Sequence, residues 1–396
     1  MPASPALTPR VTELVLENWR NFTRVEVSLQ RRAFLVGPNA SGKSNLLDSL
    51  RFLRDIVSIG GGFQEAVRKR EGVSSLRCLA ARQNPHLSIR IRIGTDAEPA
   101  QWTYQLQFHQ NGKRPVVSSE QVWRGTKQIL ERPDRDDLKD AERLTQTHLE
   151  QVGNNQGFRE IAGFLESIHY LHLVPQLVRD PDRSVKVNGA DPYGGDFLDQ
   201  VASANERTRK SRLKRIVSAL QVAVPQLSEL DLERDDKGRP HLRGKYEHWR
   251  REGAWQSEKQ FSDGTLRLLG LLWVALDGSG PLLLEEPELS LHPGVVRHLA
   301  RLFARIQHRT GRQILISTHS PDLLRDEGIG LDEVLLLRPE REGTEARLAS
   351  SLTDIPALLA GGLSLPEVVL PRTEPSNAIQ LRLSELAQPK GSGGPG

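Results

Sequence analysis

The sequence predicts an α/β fold, and three stretches carry that reading. Ala33-Phe34-Leu35-Val36 is a short apolar run, followed by a glycine-bearing loop over residues 37–44. After the loop, Leu46, Leu47, Leu50 and Leu53 recur at helical spacing through residues 45–56. Two more apolar runs, Pro281-Leu282-Leu283-Leu284 and Ile314-Leu315-Ile316, end in Glu285-Glu286 and in Ser317-Thr318-His319. Short continuous apolar runs bounded by turn or polar residues are the mark of strands covered on both faces, as in a parallel sheet with helices against it.

The remaining elements follow in chain order. Residues 11–36 open the sheet with two strands: Val15 and Leu16 begin one, and Val25, Val27 and Leu29 alternate with polar residues in the next. The stretch 86–124 is strand-rich. Leu87, Ile89, Ile91 and Ile93 alternate, Trp102, Tyr104, Leu106 and Phe108 repeat the pattern, and Asn111-Gly112 signals a hairpin. Residues 136–222 turn helical and highly charged. Residues 228–249 read as a hairpin around Asp236-Lys237-Gly238, residues 266–276 as a helix, and Glu333 to Leu337 as a late strand. There is no internal repeat, and the Gly- and Pro-rich segment 389–396 reads as disordered.

Composition narrows the function classes. With 396 residues, 37% hydrophobic and 26% charged, the chain reads as an ordinary globular protein with one elaborate domain or two. It has no run of 18 apolar residues, so no membrane span is expected. Residues 1–10 lack an apolar core, which argues against a signal peptide. Cys78 is the sole cysteine, so no internal disulfide or thiolate zinc site is expected, in keeping with a reducing cytoplasm. A net charge of +4 and a pI near 9.2 permit nucleic-acid binding without demanding it.

Four motifs carry chemistry. Gly37-Pro38-Asn39-Ala40-Ser41-Gly42-Lys43-Ser44 fits the P-loop pattern between a strand and a helix. The glycines let successive amides curl toward phosphate oxygens, and the helix N-terminus faces the same anion. Lys43, expected to face a solvent-filled loop, reaches the β- and γ-phosphates of ATP, and the Ser44 hydroxyl can ligate Mg²⁺. A chance match in a chain this long arises on the order of once in a hundred. Glu285 and Glu286 close a buried strand: the first can organise Mg²⁺, and the second can act as general base or orient the attacking water. His319 ends the neighbouring strand, where it either senses the γ-phosphate or caps a turn. Ser262 and Gly264, in Phe261-Ser262-Asp263-Gly264-Thr265, either form a second anion site at a helix N-terminus or provide an ordinary N-cap.

Together and in this order, these elements resemble an ABC-type ATPase head of the RecF/SMC/OLD group, over roughly residues 11–340. Residues 37–44 resemble its Walker A motif and residues 261–265 its signature. Glu285-Glu286 resembles Walker B, residues 289–293 the D-loop, and His319 the switch histidine. Leu16-Glu17-Asn18-Trp19-Arg20-Asn21-Phe22 is similar to the group's first strand and turn. Glu286-Pro287-Glu288-Leu289-Ser290-Leu291-His292-Pro293 is similar to the OLD and RecF-like branch. The resemblance implies a P-loop NTPase fold of ABC-ATPase type, with a mixed central sheet, an antiparallel β subdomain and a helical lid insert. It also implies that one copy's P-loop and another's signature sandwich ATP, so a homodimer or higher oligomer hydrolyses it. There are three departures. Glu285 stands where Asp is usual, Asp263 stands where Gly is usual, and the Q-loop glutamine is unplaced, with Gln64 and Gln83 as candidates.

The expected organisation is an ATPase head over 1–372, with its core from 1–75 and 256–372 and an insert over 76–255, followed by a polar tail over 373–396. The insert lacks sustained heptads, which speaks against a long coiled-coil arm. Its basic run, Arg207, Arg209, Lys210, Arg212, Lys214 and Arg215, is either a solvated helix face or a phosphate contact. His169 and His172 read as packing residues rather than a metal pair. After His319 no Asp-x-Asp pair follows and Asp354 stands alone, so no Toprim-type nuclease is expected in this chain. A nuclease or other effector is expected as a separate partner, in DNA repair or anti-phage defence, with DNA a possible ligand. A nucleotide-gated scaffold with little hydrolysis is the rival reading.

Overall fold

A computed structural model describes residues 8–81, 84–180, 191–248 and 254–374. Gln83 and the segment from residue 375 onward lie outside the described residues. The central sheet has six strands in the order Gly343–Leu348, Val334–Glu340, Arg32–Val36, Ile314–Thr318, Leu282–Glu285, His169–Leu171. It is mixed: Val334–Glu340 and Gly343–Leu348 pair antiparallel, and every other neighbour is parallel.

Strand periodicity explains the layering. Side chains alternate across a strand, so Phe34, Val36, Leu282, Leu284, Ile314 and Ile316 join one core, with the helices Asp263–Leu276 and Leu299–Thr310. Ala33, Leu35, Leu283 and Leu315 join the opposite core, with the helix Lys43–Val57 and a second sheet. That second sheet is six-stranded and antiparallel, in the order Phe22–Ser28, Arg10–Trp19, Leu87–Gly94, Trp102–Asn111, Arg114–Arg124, Lys127–Arg132. The predicted hairpin at Asn111-Gly112 is present, with Gly112 at φ 57°. A third sheet of three strands contains Leu227–Arg234 and Pro240–Tyr246. No helix among the described residues is long and apolar enough to cross a membrane.

Residues 76–255 contribute strands to all three sheets. The strand His169–Leu171, inside the stretch read as helical, lies at the edge of the central sheet with Tyr170 in register with Leu283. The basic run lies on the helix Glu206–Leu220, whose Leu213, Ile216, Val217 and Leu220 are buried. There Lys210 pairs with Glu206 at 2.8 Å and Arg212 with Asp277 at 2.9 Å.

Two buried side chains tie the layers together near the strand ends. Gln313 donates to the carbonyls of Val11 (2.7 Å) and Gln30 (2.9 Å) and accepts from the Val11 amide (2.9 Å), joining the central sheet to the antiparallel one. Arg312 donates to the carbonyls of Val274, Asp277 and Gly280. It thereby fixes the approach to Leu282–Glu285, and burial pushes its guanidinium down to about 10.

The antiparallel sheet holds a buried ionic network. Arg132 donates to Glu120 (3.0 Å) and Asp137 (2.8 Å), and Glu120 also accepts from Tyr104 and from the His148 and Leu149 amides. Beside it, Glu150 accepts from the amides of Phe63 and Thr147, tying the segment after the helix Lys43–Val57 to this sheet. Burial, with Glu120 adding to it, pushes the Glu150 carboxyl up from 4.5 to about 7, against the two amides and Arg132. A raised folded-state value favours the protonated form. The resulting stability is fully present below the unfolded value and is lost as pH rises through about 7. Chemical denaturation from pH 5 to 8 should show a loss of up to about 3 kcal/mol from this group. Glu150→Gln should flatten that slope, and an unchanged slope would assign the dependence elsewhere.

Candidate functional site

The loop 37–44 is built so that only small residues fit its tightest points. A Cβ on Gly37 would stand 2.5 Å from the Ser41 hydroxyl, and one on Gly42 would stand 2.2 Å from the Asn21 amide nitrogen. Gly42 also takes φ 95° and Ala40 φ 62°, in the left-handed region. Asn21 braces the loop from the turn between the first two strands. Its side-chain amide donates to the Ser41 carbonyl (3.0 Å) and Thr344, and its oxygen accepts from Asn45 (2.9 Å). The Trp19 indole donates to the Asn45 carbonyl at 2.9 Å. The resemblance flagged this turn, but its role as a brace depends on contacts distant in sequence.

Lys43 does not face a solvent-filled loop; it is 6% exposed. The reason is the curl of the loop, which turns the carbonyls of Gly37 (2.8 Å) and Pro38 (3.0 Å) onto its ammonium. Burial lowers its pKa, while Glu286, Glu285 and Glu288 act in the opposite direction. The Ser41 hydroxyl is buried and has no hydrogen-bond partner.

The carboxylates stand at the carboxyl ends of the parallel strands, facing the loop. The Ser44 hydroxyl donates to one oxygen of Glu285, and the Tyr170 hydroxyl donates to the other. His172 lies 3.3 Å from the Glu285 carbonyl, and His169 lies 2.8 Å from the Ser167 carbonyl. Glu286 takes φ 44°, a strained value for a non-glycine residue, and its amide is held by Ser317. Its carboxylate lies 3.1 Å from Nδ1 of His319. Glu288 is 7% exposed: one oxygen accepts from Thr318, the other has no partner, and burial raises its pKa. Among the described residues, no group of three or more His, Cys, Asp or Glu could hold a metal ion.

Ser262 and Gly264 make no hydrogen bond to the loop 37–44. Ser262 caps its own helix, accepting from the Thr265 amide at 3.2 Å, and Asp263 pairs with Arg179 at 2.6 Å. Gly264 lies against residues 289–293: a Cβ there would meet the Ser290 carbonyl at 2.8 Å. One turn on, Arg267 has a buried Nε without a partner and feels both Asp263 and Glu286. Gln64 donates to the carbonyls of Pro115 (2.9 Å) and Thr145 (2.7 Å), so both its amide hydrogens serve the antiparallel subdomain.

These residues fit a nucleotide and Mg²⁺. The cradle a Cβ would fill, the unpartnered Ser41 hydroxyl and the helix N-terminus suit a phosphate. Ser44 and Glu285 are neighbouring hard oxygen donors, the ligand type Mg²⁺ takes.

The chain is similar to solved structures of SMC heads. The SMC head bound to the C-winged helix domain of ScpA is 12% identical, with 86% of this chain and 99% of that chain covered and a TM-score of 0.52. An SMC head domain with an extended coiled coil bound to the C-terminal domain of ScpA, from Pyrococcus furiosus, is 12% identical over 89% and 100% of the two chains, at TM-score 0.49. No curated protein matches the sequence. The first likeness places the fold among P-loop NTPases of ABC-ATPase type. The family described as "AAA domain, putative AbiEii toxin, Type IV TA system" matches residues 32–325, and the chain belongs to that family.

Proposed function

We propose that this chain is an ATPase head that hydrolyses Mg²⁺-ATP when two copies close face to face. The observation that carries the reading is the meeting of Ser44 with Glu285 and of Glu286 with His319 at the carboxyl ends of the central sheet's parallel strands, beside the loop 37–44. In this reading residues 37–44 bind the phosphates, and Lys43 neutralises the β- and γ-phosphates. Ser44 and Glu285 would hold Mg²⁺, which supplies charge neutralisation across the phosphates. Glu286 orients and deprotonates the attacking water, and His319 contacts the γ-phosphate and steadies Glu286. Ser262 and Gly264 point to a second copy, because within one chain they contact residues 262–265 and Ser290 rather than the loop. Each site is then composite, and the assembly is a homodimer or larger.

The finer reading is a RecF- or OLD-like head over 1–372, acting in the cytoplasm. It would gate a separate effector or nuclease, with or without DNA, in repair or anti-phage defence. Supporting a protein partner, the SMC head of the similar structure is bound to a domain of ScpA. A nucleotide-gated scaffold is the second reading, favoured by one observation: both oxygens of Glu285 are already engaged, by Ser44 and Tyr170. Steady-state phosphate release at several protein concentrations separates the two. The ATPase reading expects specific activity to rise with concentration as dimers form. Absence of release at every concentration would leave the scaffold reading.

A further inference from the structure

We propose that Tyr170 is a positioning residue for Glu285, clamped in place by Arg51, and that this clamp sets how tightly the site takes Mg²⁺. The proposal rests on the ATPase reading above and assigns a role to a residue outside its motifs.

A glutamate at the end of a strand carries one more rotatable bond than an aspartate, so its carboxylate is less well placed unless something holds it. Here both oxygens are held: Ser44 donates to one and the Tyr170 hydroxyl to the other. Tyr170 is itself fixed twice. Its strand pairs in parallel with the strand that carries Glu285, matching Tyr170 with Leu283 and Leu171 with Leu284. The Arg51 guanidinium lies over its ring, 4.4 Å from the centroid.

Arg51 and Ser44 belong to the same helix, Lys43–Val57. They stand seven residues apart, two turns along one face. The four side chains therefore close a circuit from the helix through the ring to the carboxylate, and back through the Ser44 hydroxyl to the helix. Tyr170 takes one oxygen of Glu285, which presents the other to Ser44, where the Mg²⁺ would lie. The backbone beneath is steadied by His172, 3.3 Å from the Glu285 carbonyl. The circuit accounts for a working Glu where the resembling proteins carry the shorter Asp. The same distance that makes Glu loose brings it within reach of a tyrosine on the next strand.

Tyr170→Phe keeps the ring, its stacking on Arg51 and the strand pairing, and removes only the donated hydrogen bond. The probe is an N-methylanthraniloyl derivative of ATP, titrated onto the full chain by fluorescence with Mg²⁺ varied and in excess EDTA. In Tyr170→Phe the Mg²⁺ concentration for half-maximal tight binding should rise about tenfold, the effect of losing one hydrogen bond to a charged group. Affinity in EDTA should stay unchanged, which a general structural defect would not allow. Glu285→Asp, too short to reach Tyr170, should raise the same midpoint. Adding Tyr170→Phe to it should change little further, because the two changes break one contact. An unshifted midpoint in Tyr170→Phe, or shifts that simply add in the double variant, would overturn the clamp while leaving the ATPase reading standing. If the unmodified protein shows no Mg²⁺-dependent binding, both are overturned.

Discussion

Glu286→Gln should bind ATP and hold it, with turnover lowered by about 10²–10⁴-fold, the usual range for removing a general base. The side chain keeps its size, so the shape of the strand end survives. Only the charge and proton-accepting capacity are lost. Glu286 is poised for the role by two features: its left-handed backbone at φ 44°, held by Ser317, and its contact with His319. Strain of this kind persists only where surrounding contacts fix it, and it gathers at functional sites. With hydrolysis blocked, the ATP-bound form should accumulate as a dimer or larger species in multi-angle light scattering. A variant that stays monomeric with saturating ATP contradicts the composite site, and one that turns over at the wild-type rate removes Glu286 from the chemistry.

Lys43→Ala should lose ATP affinity by about 10²-fold or more, since two charge-assisted hydrogen bonds to phosphate are each worth about 1.5–3 kcal/mol. The fold should persist. The ammonium is buried, and burial disfavours its charge. Its partners in the loop are two carbonyls rather than a neutralising carboxylate. Isothermal titration with Mg²⁺-ATP, alongside thermal denaturation, measures both. Unchanged affinity would reject the phosphate-binding assignment of residues 37–44.

The parts of this site that the sequence disclosed are those whose signals are local. The strand Arg32–Val36, the loop after it and the helix Lys43–Val57 form one contiguous stretch, and the apolar spacing shows both elements. Glu285 and Glu286 follow directly on an apolar strand run for the same reason. Tyr170 was hidden. Its strand is three residues long, sits among charged helices, and becomes a strand only through pairing with Leu282–Leu284, more than a hundred residues away. Short edge strands carry too few residues to show a period. The burial of Lys43 was equally invisible, because it depends on how the loop carbonyls turn rather than on residue type. Gln64 is a candidate by position alone, and in this chain its amide donates to the carbonyls of Pro115 and Thr145. Ser262 was read both as an anion site and as a cap. Within one chain it is a cap, and the anion-site role proposed for it calls for a second copy.

That second copy is the central claim, and mixing two inactive variants tests it most directly. Lys43→Ala disables the loop but leaves the residue 262–265 segment intact, and Ser262→Arg does the reverse. In a mixed dimer, one site carries both lesions and the other carries neither. Each variant alone should release almost no phosphate, whereas an equimolar mixture should recover about a quarter of wild-type activity. Half the dimers are then mixed and each has one working site, as two-fold symmetry requires. A mixture as inactive as its components, with mixed dimers shown to form, would contradict the account.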